Sequence, residues 1–311
     1  MKKIAMMLFL ILSFVIGCSS IKSPFNFEKS KETVAPPKKQ MVSMRLALTD
    51  DTALTQKYYT FQIDPEASFF PELRVVNDSP DSNPFALFFF LDYKQIPVTY
   101  EGQDTSVINL QVAPRSEIKF HITIPKLTVG RHDFIALAVR KPQVHLKEPR
   151  FIAPEQMFMA RRITLIVGSD VSPRKNFTDI KGTNSNWPID SIVVVTKEHP
   201  KNTLENITLI KRDESDKLWV NFLAKRPDQY FAVILLLDNE QVAIQNPFIR
   251  SSASGLISLP INPKVPQDNN SHELIAMVIE SPFERIEDES GNFLIKSVPW
   301  LVRFTNKITI Q

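Results

Sequence analysis

Two histidines that are each followed by a carboxylate are the first candidates for chemistry in this chain of 311 residues. They form the pairs His132–Asp133 and His272–Glu273, and such pairs could contribute to metal or acid–base sites. Adjacent residues on a strand point to opposite faces of a sheet, so neither pair can converge on one ion. Because both pairs recur at the same place in a repeated segment described below, we expect them to serve the fold.

The segment "NDSPDSN", residues 77–83, gathers hard oxygen donors of the kind that calcium binds. Its spacing matches no calcium loop, and proline with Asn and Asp is also typical of a turn. The sequence contains no Gly-x-Ser-x-Gly elbow and no His-Glu-x-x-His pair. We therefore predict no catalytic residue, no metal ligand and no cofactor, and we do not expect an enzyme. A carboxylate pair that the sequence does not reveal, as in a hydrolase of envelope polymers, stays an alternative.

Cys18 is the only cysteine, and it follows a basic "MKK" and a 14-residue stretch, "IAMMLFLILSFVIG". Such a stretch is shorter than the roughly 20 residues that span a bilayer. The segment closely resembles a bacterial lipoprotein signal peptide, with a lipobox that ends in Gly17 and Cys18. The resemblance implies that residues 1–17 are removed and that the Cys18 thiol carries diacylglycerol, which anchors the protein to the bacterial membrane on its extracytoplasmic side.

Residues 18–40 lack hydrophobic periodicity and are rich in Ser, Lys and Pro, so we interpret them as the lipid anchor and a flexible tether. Their lysines lie next to the anchor, where anionic headgroups could supplement a single lipid. Removal of Lys2 and Lys3 leaves 35 basic and 34 acidic residues. This balance argues against nucleic-acid binding.

Short segments rich in β-branched and aromatic residues follow the tether, and turn-forming clusters separate them. Three motifs recur in the same order: "FALFFFLDYKQIPV" as "FAVILLLDNEQVAI", "HDFIALAV" as "HELIAMVI", and "RITLIV" as "KITI". We therefore predict an internal duplication, with β-sandwich domains at 41–167 and 188–311 and a linker at 168–187. The stretch "LTVGRHDFIALAV" loosely resembles a strand of bacterial immunoglobulin-like domains. The predicted fold class is all-β, with two tandem immunoglobulin-like β-sandwich domains.

The run "FALFFFL", which begins at Phe85, is apolar throughout, and its repeat from Phe231 is apolar too. This pattern predicts a central strand that is covered on both faces. Asp92 and Asp238 end the two runs and predict the turn of a hairpin.

The loops that follow the second repeated motif carry opposite charge. The candidate interaction residues are Arg140, Lys141, Lys147 and Arg150 in the first copy and Glu284, Glu287, Asp288 and Glu289 in the second. Opposite patches could join the two domains of one chain or align neighbouring molecules. The alternative is that both are solvated loops that diverged after duplication.

The sequence favours a membrane-anchored binding or scaffolding module that contacts an envelope protein or a cell-wall polymer. A solute-binding lipoprotein of a transporter is the alternative, and it would be expected to have two α/β lobes.

Overall fold

The computed structural model describes residues 44–57, 59–150, 152–183, 193–198, 207–215, 217–288, 290–293 and 302–311. The predicted signal peptide, Cys18 and the tether lie outside these residues, as does Glu289. The described residues, from Met44 to Gln311, belong to one compact unit. None of the helices in the described ranges is long and apolar enough to cross a membrane.

The first half of this unit forms two main sheets and one two-stranded sheet. Its strands are β1 (Met44–Thr49), β2 (Thr55–Gln56), β3 (Thr60–Ile63), β4 (Glu72–Asn77), β5 (Asn83–Leu91), β6 (Lys94–Gln95), β7 (Val98–Tyr100), β8 (Gln103–Thr105), β9 (Ile108–Val112), β10 (Ser116–His121), β11 (Gly130–Arg140) and β12 (Phe158–Val167). Sheet A has the order β1-β4-β10, and sheet B has the order β2-β3-β12-β11-β5, with β6 and β9 both beside β5. Strands β7 and β8 pair with each other.

The second half repeats this arrangement. Its strands are β13 (Thr178–Lys181), β14 (Val194–Thr196), β15 (Leu209–Ile210), β16 (Leu218–Ala224), β17 (Gln229–Leu237), β18 (Glu240–Val242), β19 (Phe248–Ala253), β20 (Gly255–Ile261), β21 (His272–Glu280), β22 (Val302–Phe304) and β23 (Ile308–Ile310). Sheet C has the order β13-β19-β17-β21-β23-β15, with β18 beside β17 and β22 beside β21, and sheet D has the order β14-β16-β20.

The two halves share one strand order. Sheet D corresponds to sheet A strand for strand, and β15-β23-β21-β17-β19 of sheet C corresponds to β3-β12-β11-β5-β9 of sheet B. Both halves contain an equivalent parallel pairing, of β3 with β12 and of β15 with β23. The equivalent pairs β11–β5 and β21–β17 are antiparallel. Splitting the strands between two sheets in this way is typical of an immunoglobulin-like sandwich. The predicted all-β sandwich fold class is confirmed.

The two sandwiches pack against each other through sheets B and C, so the unit has four layers. One apolar core fills each sandwich. A third apolar cluster contains side chains from both sheets B and C, and its central members are Ala86, Phe88 and Phe90 of β5, Ile135, Leu137 and Val139 of β11, Ala232, Ile234 and Leu236 of β17, and Ile275, Met277 and Ile279 of β21. Burial of this much apolar surface is the main force that holds two sheets together.

Strand β5 explains the apolar run at Phe85. Successive side chains of a strand point to opposite faces, so Phe85, Leu87 and Phe89 enter the first core and the alternate residues enter the third cluster. The prediction of a central strand that is covered on both faces is confirmed. A charged side chain anywhere from Phe85 to Phe90 would be buried on either face, which explains why the run is apolar.

Both predicted hairpins are present. Asp92 and Tyr93 have φ values of 50° and 67°, and Asp238 and Asn239 have φ values of 51° and 71°. Two consecutive residues with positive φ form the turn that suits the right-handed twist of a two-residue hairpin. The turns connect β5 to β6 and β17 to β18.

The predicted linker 168–187 needs a correction, because its residues Thr178–Lys181 form β13 and pair with β19. Its single apolar residue, Ile180, packs against the second core, and the polar residues around it hid this strand in the sequence. The domain boundaries otherwise stay predictions. Helical structure in the described ranges is limited to the 3₁₀ turns η1 (Pro154–Gln156) and η2 (Arg212–Glu214), which is unlike the two α/β lobes that the transporter alternative predicts.

Candidate functional site

The two repeated histidines bind the turns of the two hairpins. His132 Nδ1 lies 2.8 Å from Asp92 Oδ2, and His272 Nδ1 lies 2.6 Å from Asp238 Oδ2. The other oxygen of each aspartate accepts the amide N–H of the residue that follows the histidine, at 3.1 and 2.8 Å. Each aspartate thus connects its turn to the start of the neighbouring strand. These contacts give both histidines a role in positioning the hairpin turns.

The histidines have raised pKa values. The hydrogen bond to Asp92 raises the pKa of His132. Burial of the His272 ring favours its neutral form, but hydrogen bonds to Asp238 and Asp268 outweigh burial and raise its pKa as well. Within the part of the chain that the structure describes, no three His, Cys, Asp or Glu side chains are grouped to hold a metal ion.

A buried ion pair in the first sandwich holds a loop of the second, and we name this group the first clasp. Arg162 Nη2 lies 2.8 Å from Asp133 Oδ2, and both side chains are almost fully buried. The guanidinium also donates to the carbonyl oxygens of Glu280 and Ser281, both at 2.8 Å. The same Asp133 oxygen accepts the amide N–H of Phe283 at 2.9 Å. The planar fork of arginine suits several acceptors at once.

Tyr93 completes the first clasp, because its hydroxyl donates to Asp133. Burial raises the pKa of Tyr93 well above its ordinary value, so this hydroxyl stays protonated as a donor. A buried carboxylate needs several donors to offset the loss of hydration. In this clasp Asp133 receives them from both sandwiches.

The second clasp has the same arrangement, but here the second sandwich supplies the ion pair and the first sandwich supplies the loop. Lys307 forms a buried ion pair with Glu273. Its ammonium also donates to the carbonyl oxygens of Lys141, Pro142 and Val144, at 3.4, 3.0 and 2.6 Å. These carbonyls belong to the loop that leaves the first sandwich after β11, so each sandwich holds a loop of the other.

The second clasp continues along this loop. The amides of Leu146 and Arg150 donate to the hydroxyls of Thr309 and Thr208, at 2.8 and 3.0 Å. His145 Nδ1 lies 3.2 Å from the Glu273 carboxylate. Burial raises the pKa of Glu273 to about 7, and burial lowers the pKa of Lys307.

The clasps occupy equivalent positions of the internal repeat. Asp133 and Glu273 are the second residues of "HDFIALAV" and "HELIAMVI", and Arg162 and Lys307 are the first residues of "RITLIV" and "KITI". The sequence contains this signal as an acid and a base that are preserved between the copies. The sequence prediction missed these ion pairs because each motif was interpreted only as a strand, and the acid of one motif was not matched with the base of the other.

The opposite charges at the start of the two loops have a local explanation. Arg140 and Glu280 occupy equivalent strand ends, and each is only 8% exposed. Arg140 Nε donates to Asn83 Oδ1 at 2.8 Å, whereas Gln229 Nε2 donates to Glu280 Oε1. Asn83 and Gln229 each precede the aligned phenylalanine by two residues. Because an amide group can accept or donate, it satisfies either charge at this position.

The predicted interaction residues therefore divide into buried and accessible groups. Arg140 is buried at the end of β11, and Glu287 is 0% exposed. Glu287 Oε2 accepts the amide N–H of Tyr59 at 2.7 Å, and its neighbour Ile286 enters the first core. These two residues were wrongly predicted as accessible, because sequence shows charge but not burial.

The remaining candidates lie at the surface of the same two loops. Lys147, Arg150 and Glu284 are exposed, and Lys141 and Asp288 are half-buried. Across the described ranges no ion pair joins one loop to the other. The loops do connect the sandwiches, but each does so through the clasp on the opposite sandwich and not through mutual charge attraction.

Comparisons with known proteins add no family. No family model matches the chain, and no curated protein matches it. Among solved structures, a CARDB domain from Pyrococcus furiosus is 6% identical, with 44% of this chain and 98% of that chain covered and a TM-score of 0.28. The E. coli chaperone DraB is 12% identical, with 78% and 94% covered and a TM-score of 0.25. Red sea bream transglutaminase is 10% identical, with 78% and 29% covered and a TM-score of 0.21. Likenesses this distant carry no argument about function.

Proposed function

We propose that this chain is a lipid-anchored extracytoplasmic protein that acts as a binding or scaffolding module at the bacterial cell surface. The observation that carries the proposal is the pair of clasps, through which each sandwich holds a loop of the other. Together with the third apolar cluster they make the two sandwiches one body, which is what a scaffold requires. The lipobox resemblance at Cys18 supports the membrane anchor.

The partner in this proposal is an envelope protein or a cell-wall polymer, and it binds to an exposed surface. The buried charges of each clasp are already paired within one sandwich and also bind backbone groups of the other, so they support the fold and not catalysis. A polar pocket is lined by Arg212, Asp268, Asn269, Asn270, Ser271 and Gln311. The Arg212 guanidinium donates to the carbonyl oxygens of Asp268 and Asn270, which lowers its capacity to bind a ligand.

Metabolic labelling tests the anchor. The full chain and its Cys18→Ser variant are expressed in a bacterial host with an alkyne fatty acid, and membranes are separated from soluble fractions. We expect label and membrane retention for the native chain and for a Ser19→Ala control, and loss of both for Cys18→Ser. Label that persists in Cys18→Ser would contradict the anchor.

Binding is tested separately with the lipidated full chain. We expect it to co-sediment with isolated cell-wall sacculi or to retain an envelope protein through stringent washing, and to release no soluble fragments from sacculi. Release of fragments would support the hydrolase alternative, and retention of a small solute would support the transporter alternative.

A further inference from the structure

Strand β19 of the second sandwich is paired on both sides, whereas its equivalent β9 is paired on one side within the described residues. In β19, Ile249 lies opposite Phe231 of β17, and β13 pairs with the other edge in parallel. In β9, Leu110 lies opposite Phe85 of β5. Phe85 and Phe231 are aligned residues of the repeat, so Leu110 and Ile249 are equivalent. Within the residues that the structure describes, β9 pairs only with β5.

The difference in pairing between β9 and β19 changes the burial of the equivalent side chains Leu110 and Ile249. Ile249 is 0% exposed where β13 lies beside it. Leu110 packs against the first core but stays half-buried. An apolar side chain at the open edge of a sheet is thus left partly in water in one copy and covered in the other.

The composition of β9 gives this edge no protection. Proteins usually place charged residues or proline on edge strands, because an unpaired row of N–H and C=O groups is a template for another strand. Strand β9 reads "INLQV" and has neither. The other edge strands of four or more residues in the described ranges do have them: Arg45 in β1, Glu117 and Lys119 in β10, Asp179 and Lys181 in β13, and Pro260 in β20. The shorter edge strands β2, β14 and β15 have neither, but they offer only two or three residues for pairing.

We propose that the outer edge of β9 accepts an extended segment of a partner protein, which adds to sheet B as a parallel strand. Addition of a strand to a free edge is a common mode of peptide recognition, in which main-chain hydrogen bonds bring affinity and alternate side chains bring specificity. The inference deepens the proposed binding function and rests on it, but it does not depend on the lipid anchor.

Strand β13, which pairs with the equivalent edge in the second sandwich, indicates the chemistry of the partner segment. Thr178 and Ile180 of β13 pair with Ile249 and Ser251, and Ile180 packs toward the second core. Ser251 is equivalent to Val112 and Ile249 to Leu110. The partner segment therefore places an aliphatic side chain on the core face beside Val112 and a small side chain such as threonine beside Leu110. Asp179 pairs with Arg250 in the template, but the equivalent of Arg250 is the neutral Gln111, so the partner needs a neutral polar residue there.

Site-directed crosslinking tests the register. Cys18 is the only cysteine, so the full chain with Cys18→Ser and Gln111→Cys, purified in detergent, has one thiol. The probe is a peptide with the sequence of residues 175–183 and Asp179→Cys. With a short thiol crosslinker we expect at least about tenfold more product than from the matched control Lys119→Cys on the edge of sheet A. Equal yields would overturn the proposal.

A charge on the edge is the second test. Leu110→Lys places an edge-protecting residue in β9, and we expect it to weaken binding of the peptide at least about tenfold. Because Leu110 is half-buried, we expect the melting temperature to fall by no more than about 5 °C. Unchanged peptide binding by the folded variant would overturn the proposal.

Two further outcomes would identify a different occupant of the β9 edge or a different docking surface. A concentration-dependent dimer of the native chain that Leu110→Lys abolishes would identify the occupant as a second copy and would overturn the proposal of a partner segment. An envelope partner that Leu110→Lys still retains would overturn the β9 edge as the docking surface and leave the proposed binding function intact.

Discussion

Gln95 and Gln241 bind each other's backbone at the contact between the two sandwiches. The amide N–H of each residue donates to the side-chain Oε1 of the other, at 2.7 Å in both directions. Their Nε2 groups donate to the carbonyl oxygens of Asn239 and Tyr93, at 3.1 and 3.0 Å. The two glutamines hold the same place in the repeat. A local twofold axis therefore relates the two glutamines, and the contact is reciprocal, as in a symmetric dimer interface.

The reciprocal bonds predict strong coupling between these two glutamines. We expect Gln95→Ala and Gln241→Ala each to lower the free energy of unfolding by about 0.5 to 1.5 kcal/mol, because each leaves a half-buried backbone amide without its acceptor. The double variant should cost less than the sum, because both changes remove the same network. Urea unfolding measures all three, with the exposed Gln103→Ala as the control, and strictly additive losses would contradict the coupling.

The third apolar cluster predicts that the contact between sandwiches is as costly to disrupt as a core. Phe89 faces the first core and Phe88 faces the third cluster, and both are at most 2% exposed. We expect Phe89→Ala and Phe88→Ala each to cost about 3 to 5 kcal/mol in denaturant unfolding. The partly exposed Phe70→Ala is the control. A loss below about 1 kcal/mol for Phe88→Ala would mean that the two sheets are not firmly packed.

The two glutamates of the second loop should respond very differently to charge reversal. Glu287 is 0% exposed and accepts the amide of Tyr59, so Glu287→Lys places an unpaired charge in the first sandwich and should cost about 3 kcal/mol or more. Glu284 is exposed, so Glu284→Lys should change stability by less than about 0.5 kcal/mol. Thermal unfolding and limited proteolysis of the loop compare them. Similar losses for both variants would show that Glu287 is accessible.

The second clasp predicts a specific pH dependence. Burial raises the pKa of Glu273 to about 7 from an ordinary value of 4.5, so the folded chain binds more protons than the unfolded chain between these two values. The contribution of Glu273 to stability is therefore largest below about pH 4.5 and is lost as the pH rises through about 7. Glu273→Gln removes this titration.

Chemical denaturation across pH 4 to 8 measures the effect. Relative to Glu273→Gln, the native chain should lose up to about 3 kcal/mol of unfolding free energy over that window. The exposed Glu284→Gln is the matched control and should keep the native pH profile. A native profile that runs parallel to that of Glu273→Gln would show that Glu273 is not titrating near neutral pH.

Local patterns predicted the strands and turns because their cause is local. The run from Phe85 has no polar residue, so any fold must cover both of its faces, and Asp92 after it suits a turn with positive φ. The linker strand escaped prediction because Thr178–Lys181 has one apolar residue, and its pairing depends on the position of β19.

The candidate interaction residues show that local sequence patterns do not predict the burial of charged side chains. Arg140 and Glu287 have the composition of surface loops, and their burial depends on acceptors and donors that the chain brings from far away, Asn83 for the one and Tyr59 for the other. Which strands pair with β9 likewise depends on the arrangement of the whole sheet and not on the sequence of β9.

The sequence by itself determined the all-β class, the duplication and the buried strands, because alternation, turn residues and repeated motifs act over a few residues. The tertiary structure alone decided that the sandwiches meet through sheets B and C, that Asp133 with Arg162 and Glu273 with Lys307 hold the exchanged loops, and that β9 pairs only with β5 among the described residues. Burial and pairing energies depend on which distant groups come together, and that information lies in the packing of the whole chain.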